Sequence, residues 1–219
     1  MLASDAEKKF EDYRYYLKAE ATRLACYVAL YRRLFERRND RLKEMNIAPA
    51  FFSTVTDALF SAIIIWADKI FDERGQRGVF DFLLFIESNL SILAIEQLKR
   101  RRSYPDGHWM LNRDGITLQT VKSDRERIRG LECLKNIAIR RDKFHAHFNK
   151  EYFFDRSRLQ DEAPLIWDDF EKVITTLSNI INQYSIAYDG SVFVLAPENI
   201  NDLDDLLNHL HRSTPLSRP

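Results

Sequence analysis

Apolar residues recur every three or four positions along the first part of the chain, which is the period of one face of an α-helix. Lys and Arg occupy the opposite side as far as about Arg38, and the hydroxyl of Ser4 can cap the first turn. The segment NDRLKEMNIAP, which ends in Pro49, then interrupts the pattern. The sequence therefore predicts a long first helix, whose apolar stripe consists of Leu17, Leu24, Val28, Tyr31 and Leu34.

The same period continues along the chain and predicts further helices. Their ranges are residues 50–71, 79–101, 123–149 and 164–188, with a last amphipathic helix that begins at Pro197. The start at Ser123 rests on a capping box with Glu126. Residues 103–115 contain two turn signals and should form an exposed excursion. The β-like stretch 191–197 is too isolated to change the predicted helical fold class.

These elements predict an all-α fold, an antiparallel bundle of about five to six helices with a long first helix. Residues 1–190 are expected to form the bundle, and residues 191–219 a C-terminal extension with a short helix. The composition agrees, because 45% of the residues are apolar and Gly and Pro number six each. So few turn-forming residues argue against a β-sandwich.

The charge is balanced overall but unevenly distributed. Basic and acidic residues both number 33, so no net field attracts nucleic acid or an anionic membrane. Residues 122–158 carry eleven basic and six acidic side chains, a balance of +5, whereas residues 159–212 carry two and ten, a balance of −8. The asymmetry is equally compatible with chance and with an anion-binding centre.

The sequence predicts a cytoplasmic protein without a membrane partner. The N-terminus is charged and has no apolar signal core. The longest apolar run, residues 58–67, is bounded by Asp57 and Asp68, and ten residues are too few to span a bilayer. Cys26 and Cys133 show neither metal-ligand spacing nor a disulfide framework, which favours a reducing compartment.

The fourth predicted helix carries a cluster of cations and imidazoles, RRDKFHAH. On a helical wheel Arg141 and His145 fall in the middle of the core-facing stripe, while Arg140 and His147 fall on its flank. Burying an unpaired guanidinium is costly, so Arg141 needs a compensating group. That group is either a carboxylate from another helix, for which Asp68 is the candidate, or a ligand anion in a cleft or partner interface.

The density of donors in RRDKFHAH favours a phosphate site, and the segment resembles the signature of HEPN domains. In that signature an Arg is followed by a polar residue and, a few positions later, by a His. Here these residues are Arg141, Asp142 and His147. The form RDKxxAH and the upstream segment ALFSAIIIWADKIFDERGQRGVFDFLLFIE are similar to the abortive-infection, AbiU-type branch. The resemblance covers roughly residues 5–190.

The resemblance implies a bundle that dimerises through the motif helix, with Arg141 and His147 of the two copies forming the catalytic site. Many family members are metal-independent endoribonucleases, so it implies RNA as substrate and no metal or other cofactor. The auxiliary or phosphate-binding candidates are Arg140, Asp142, Lys143 and His145. This chemistry suits these residue types, because an imidazole can move the proton of a ribose 2′-OH and a guanidinium can hold the charge of a phosphorane.

Several points stay open in the sequence. Arg141 and His147 lie about 120° apart on an ideal helix, so either the helix distorts near His147 or a dimer completes the site. His145 is the geometrically better partner of Arg141, whereas the family pattern selects His147. The alternative function is a non-catalytic HEPN module for dimerisation or nucleotide binding, with Arg141 in a structural ion pair. A cognate antitoxin is a further candidate partner, although Asn149 stands where antitoxin-silenced HEPN toxins carry Tyr.

Overall fold

The computed structural model describes residues 4–75, 77–146, 149–155, 157–197 and 199–213. Within these ranges every regular element is helical, which confirms the all-α class. The α-helices are α1 (Asp5–Asp40), α2 (Leu42–Met45), α3 (Pro49–Phe71), α4 (Val79–Ser88), α5 (Ile95–Arg102), α6 (Leu118–Arg129), α7 (Glu132–Arg140), α8 (Lys150–Phe154), α9 (Arg158–Glu162), α10 (Trp167–Asp189) and α11 (Asn201–Ser213). Short 3₁₀ turns cover Leu90–Leu93 and Trp109–Leu111, and a π-helical turn covers Arg141–His145.

The first helix begins as its sequence predicts. Ser4 Oγ accepts a hydrogen bond from the Glu7 backbone N–H at 3.2 Å, and the Glu7 carboxylate accepts one from the Ser4 N–H at 2.9 Å. This reciprocal capping box satisfies two backbone donors that a helix start leaves free. Pro49 occupies the first turn of α3, where its missing N–H costs no helical hydrogen bond.

α1 and α3 pack as antiparallel neighbours. The indole of Trp66 donates to Glu20 at 2.6 Å, and the ring of Tyr31 lies 5.5 Å from that of Phe60. Residues later in α1 therefore contact residues earlier in α3, as in an antiparallel pair.

α10 also runs antiparallel to α1. Arg14 pairs with Asp189 at one end of the two helices, and Arg32 pairs with Glu171 at the other. The core between these long helices and α4, α6 and α7 includes Phe10, Leu24, Ile63, Ile64, Phe82, Leu83, Ile128, Ile137, Leu177, Ile180 and Tyr184.

The predicted helix over residues 79–101 is wrong as a single element. It ends at Ser88, and α5 begins only after the 3₁₀ turn. The side chains of Ser88 and Asn89 donate to the carbonyl oxygens of Leu84 and Phe85 at 3.1 and 2.8 Å. Such side chains compete with backbone donors for the last helical carbonyls, which favours a helix end.

The predicted helix over residues 123–149 is also wrong as a single element. It starts earlier, because Thr117 rather than Ser123 forms the capping box, with Thr120. It breaks at Gly130, after which Leu131 adopts an extended conformation and α7 starts. Glycine weakens a helix interior because it loses the most backbone freedom on folding. The motif therefore lies on a separate short helix.

Among the described residues one helix, α3, is long and apolar enough to cross a membrane by length and composition alone. It extends the ten-residue apolar run of the sequence in both directions. In the protein Ile63, Ile64 and Ala67 on this helix are buried in the core. A helix that buries one face in a protein core can have the same apolar composition as a membrane-spanning helix.

Residues 191–197 form no strand and pack on the bundle. The side-chain amide of Asn182 in α10 accepts from the Phe193 N–H at 2.7 Å and donates to the Phe193 carbonyl at 2.9 Å. α11 then contacts α1, where Arg37 donates to Asp204 at 2.7 Å. The boundary at residue 190 stays a prediction.

Candidate Arg–His site

The motif lies where α7 changes into the π-helical turn Arg141–His145. The N–H of Ala146 donates to the carbonyl of Arg141 at 2.8 Å, five residues back, and the N–H of Asn149 donates to the carbonyl of Lys143 at 3.1 Å. The helix therefore distorts immediately before His147, which is one of the two possibilities left open by the sequence. His147 itself lies outside the described residues, as does Phe148.

Arg140 lies inside the protein, and its predicted place on the flank of the stripe is wrong. Its side chain is buried, with Nε donating to the carbonyl of Ala163 at 2.6 Å and a terminal nitrogen donating to that of Leu159 at 3.0 Å. Burial lowers the pKa of the guanidinium. These contacts fasten α9 and the following segment to α7, and they give no support to a phosphate-binding role.

Arg141 forms the ion pair for which the sequence offered Asp68 as candidate. Its Nε lies 3.0 Å from Asp68 Oδ2, and a terminal nitrogen lies 3.1 Å from Asp142 Oδ1. The Asp68 side chain is 11% exposed and that of Arg141 23%. Burial raises the pKa of the Asp68 carboxyl, and the charge of Arg141 partly offsets that rise. The pair is therefore half-buried, with the guanidinium on its accessible side.

Arg141 also lines a cleft that the sequence did not indicate. The cleft has a volume of about 240 Å³ and lies between the end of α3 and the corner of α6 and α7. Leu134 and Ala138 of α7 form part of its wall, and the charged side chains of Asp68 and Arg129 also line it. No sequence signal could have found it, because its walls come from segments that are far apart in the chain.

His145 points away from Arg141. Its Nδ1 lies 3.1 Å from Ser61 Oγ, and its ring packs edge-on against Phe60 at 5.7 Å. Ser61 and Asp68 are seven residues apart on α3, which corresponds to about 10 Å along the helix. His145 therefore contacts α3 rather than Arg141, because a spacing of four residues shares a face only in a regular α-helix. Its ranking against His147 stays a prediction.

The remaining motif side chains lie nearer the surface. Asp142 is exposed and contacts Arg141. Lys143 is half-buried, and its charge contributes to the lowered pKa of Glu162, after the hydrogen bond from Tyr152 and the charge of Arg158. These two residues stay candidates for phosphate contacts.

Metal ligands do not gather in the part of the chain that the structure describes. No group of three or more His, Cys, Asp or Glu side chains there could hold a metal ion. Cys26 and Cys133 form no disulfide with each other.

The family model HEPN_AbiU2, described as AbiU2, matches residues 7–213. The chain belongs to the AbiU2 family of HEPN domains. It is thus an abortive-infection HEPN protein, and the match includes both the motif and the segment after residue 190. No curated protein and no solved structure matches the chain.

The buried imidazole of His145 should make this HEPN protein less stable in mild acid. Burial, together with the charge of Arg140, lowers the pKa of His145 to about 4, whereas an unfolded histidine titrates near 6.5. The unfolded chain therefore binds the proton more tightly. The stabilisation is complete above pH 6.5 and is lost as the pH falls from there towards 4.

Between pH 7.5 and 5 we expect the wild type to lose about 2 kcal/mol more unfolding free energy than His145→Asn. Urea unfolding followed by circular dichroism measures both values. His209→Asn, at an exposed histidine on α11, is the matched control and should behave as the wild type. Parallel pH profiles for the wild type and His145→Asn would contradict the assignment.

Proposed function

We propose that this AbiU2 protein is a metal-independent endoribonuclease of an antiphage or toxin-like system, with Arg141 and His147 in a site that a second copy completes. The observation that carries the proposal is the π-helical turn at Arg141–His145. Single π-turns interrupt regular helices rarely and occur frequently at functional sites. This one directs His145 towards α3 and leaves Arg141 partly accessible beside a cleft.

The chemistry follows from the two residue types. His147 accepts the proton of the ribose 2′-OH, the 2′-oxygen forms a bond to phosphorus, and the bond from phosphorus to the 5′-oxygen breaks. A protonated histidine returns a proton to the departing 5′-oxygen. The guanidinium of Arg141 stabilises the extra charge of the phosphorane through its planar fork of donors. The products are a 2′,3′-cyclic phosphate and a 5′-hydroxyl.

The second copy is part of the proposal because the described contacts of Arg141 and His145 give no complete site within one chain. Arg141 contacts Asp68 and Asp142. His145 has a lowered pKa and contacts Ser61, so it is poorly suited to serve as the base near neutral pH. His147 is therefore the histidine that we assign, and RNA and a homodimer are the proposed partners.

A second candidate function is a non-catalytic HEPN module for dimerisation or nucleotide binding. The ion pair between Arg141 and Asp68 favours it, because a guanidinium that is already compensated has no need of a ligand anion. The two functions differ in whether Arg141 exchanges Asp68 for a phosphate.

Cleavage of RNA in the presence of EDTA tests the proposal. We expect the wild type to cut single-stranded RNA, to leave 2′,3′-cyclic phosphate ends, and to spare the same sequence with 2′-deoxyribose. His147→Ala should lower the rate at least about 100-fold, the usual contribution of a general acid–base group. His209→Ala is the matched control and should keep the wild-type rate. If neither the wild type nor any variant cuts RNA of several types, the second candidate replaces the first.

Mixing two inactive variants tests the composite site. If Arg141 and His147 act from opposite chains, a heterodimer of Arg141→Ala and His147→Ala contains one intact site. Random exchange should then restore about a quarter of the wild-type sites, by the symmetry of a two-fold dimer. Absence of recovery, with exchange verified by native mass spectrometry, would place both residues of each site in one chain.

A further inference from the structure

The end of α5 and the excursion after it form a surface that the motif does not use. We name it the aromatic–arginine patch and define it by Arg102, Tyr104, His108, Trp109 and Arg113. The rings of Tyr104 and His108 stack with their centroids 4.0 Å apart and their planes inclined by 5°. The ring of Trp109 follows at 5.8 Å from that of His108. The indole at the end of this row is 73% exposed.

The rings beside the exposed indole are anchored to the bundle. His108 Nδ1 accepts from the backbone N–H of Met110 at 3.3 Å, which orients the imidazole. The hydroxyl of Tyr104 lies against Gly190 at the end of α10, so closely that a Cβ added at that glycine would be 3.2 Å from it. The row of rings is thus anchored to the bundle at one end and open to solvent at the other.

Two arginines of the patch have no carboxylate partner among the described residues. Arg102 is exposed and donates to two uncharged oxygens, the carbonyl of Asp189 and the hydroxyl of Ser191. The Nε of Arg113 is buried and has no hydrogen-bond partner among the described residues. By contrast, Arg101 is used internally, because it donates to Glu7 at 2.6 Å and to two backbone carbonyls. The helix dipole accounts for the cations that end α5, but it explains neither Arg113 nor the exposed indole.

We propose that the aromatic–arginine patch binds single-stranded RNA, with a base stacked on Trp109 and phosphates beside Arg102 and Arg113. Unpaired bases are recognised by stacking on aromatic side chains, while cations follow the backbone. An exposed indole, together with two guanidinium groups that have no carboxylate partner among the described residues, provides both contacts. The choice of RNA rather than DNA rests on the proposed function.

The patch lies far from the motif. Gly190 directly follows α10, whereas Phe170 near the start of that helix contacts Phe60, the neighbour of His145. The 23 residues of α10 extend over about 34 Å. The patch therefore holds a part of the RNA that is remote from the bond that is cut.

Fluorescence anisotropy with the full-length wild type tests the patch independently of cleavage. The probe is a labelled single-stranded 2′-O-methyl oligouridylate of about 15 nucleotides, within the range of known single-strand sites. Its 2′-oxygens are blocked, so cleavage through a 2′-OH cannot occur. Trp109→Ala should weaken binding about 5- to 150-fold, which is the usual effect of losing one stacked base. Trp109→Phe should retain most of the affinity, and Arg113→Gln should reduce the dependence on salt.

Phe51→Ala is the matched control, because Phe51 is another exposed aromatic side chain, at 55%, on α3. It should bind the probe as the wild type does, and all variants are checked for unchanged circular dichroism. The proposal is overturned if the wild type does not bind the probe or if Trp109→Ala binds it equally well. If the wild type cuts no RNA while binding still depends on Trp109, the proposed function fails and the patch stands. If His147→Ala abolishes cleavage while Trp109→Ala leaves binding intact, the proposed function is supported and the patch proposal fails.

Discussion

Replacing Arg141 by Ala is expected to slow RNA cleavage by about 10²–10³-fold while the protein stays folded. Loss of one donor to a charged transition state has an effect of this size. The fold should survive because the Arg141 side chain is at the edge of the core, 23% exposed. In addition, burial already raises the pKa of the Asp68 carboxyl, so without Arg141 that carboxyl can take up a proton instead of remaining as a buried charge.

Single-turnover cleavage of a labelled RNA measures the rate, and urea unfolding checks the fold. Arg141→Lys keeps the charge but loses the planar fork, so it should recover only part of the rate. Arg158→Ala is the matched control, since Arg158 pairs with Glu151 and Glu162 at the surface, and it should cleave as the wild type does. The double variant Asp68→Asn/Arg141→Met removes the ion pair without leaving a charge behind. It should be folded and inactive.

These variants separate a catalytic role of Arg141 from a purely structural one. If Arg141 serves only the ion pair with Asp68, the double variant keeps every property that the wild type has. Wild-type cleavage by Arg141→Ala would therefore remove Arg141 from the catalytic site and with it the proposed mechanism.

Replacing Arg140 by Ala is expected to lower the free energy of unfolding by about 3 kcal/mol. The change leaves the buried carbonyl of Ala163 without a donor, which costs about 1–3 kcal/mol. It also removes the guanidinium hydrogen bond to the carbonyl of Leu159, which keeps only the one from the Ala163 N–H. The lost side chain also leaves space beside the ring of Phe60, which the guanidinium faces at 5.9 Å. Urea unfolding monitored by circular dichroism measures the change.

Arg140→Lys tests the physical reason. A lysine keeps the charge but cannot reach two carbonyls with a rigid fork. Arg140→Lys should therefore lower the free energy of unfolding, but by less than Arg140→Ala does. A loss below about 1 kcal/mol for Arg140→Ala would show that the two hydrogen bonds contribute little. Any fall in cleavage by Arg140→Ala should disappear at temperatures where the variant is fully folded, which separates Arg140 from its neighbour Arg141.

The long helices could be predicted from the sequence because their signals are local. The apolar stripe of α1, the cap at Ser4, and the apolar stretch of α3 are each contained within a few turns. The pairing of Arg141 with Asp68 also followed from local signals, as one of the two explanations that the sequence left open. A charge within an apolar stripe requires compensation, and Asp68 is a carboxylate at the end of the most apolar helix.

The details of the motif could not be predicted because a helical wheel assumes one unbroken helix. The break at Gly130 separates α6 from α7, and the π-turn changes the direction of every side chain after Arg140. The π-turn occurs where the motif packs against other segments. Arg140 turns inward towards carbonyls of the α9 region, and His145 meets Ser61 of α3. No pattern within the motif itself reports those partners.

The sequence by itself determined the all-α class, the long first helix and the family signature at Arg141, Asp142 and His147, since periodicity and short motifs depend only on neighbours in the chain. Only the tertiary structure decided which side chains of the motif are structural and which remain accessible. It buries Arg140, turns His145 away from Arg141, and opens a cleft beside Arg141. The physical reason is that burial and hydrogen-bond partners are set by segments distant in sequence, whose positions the local pattern does not contain.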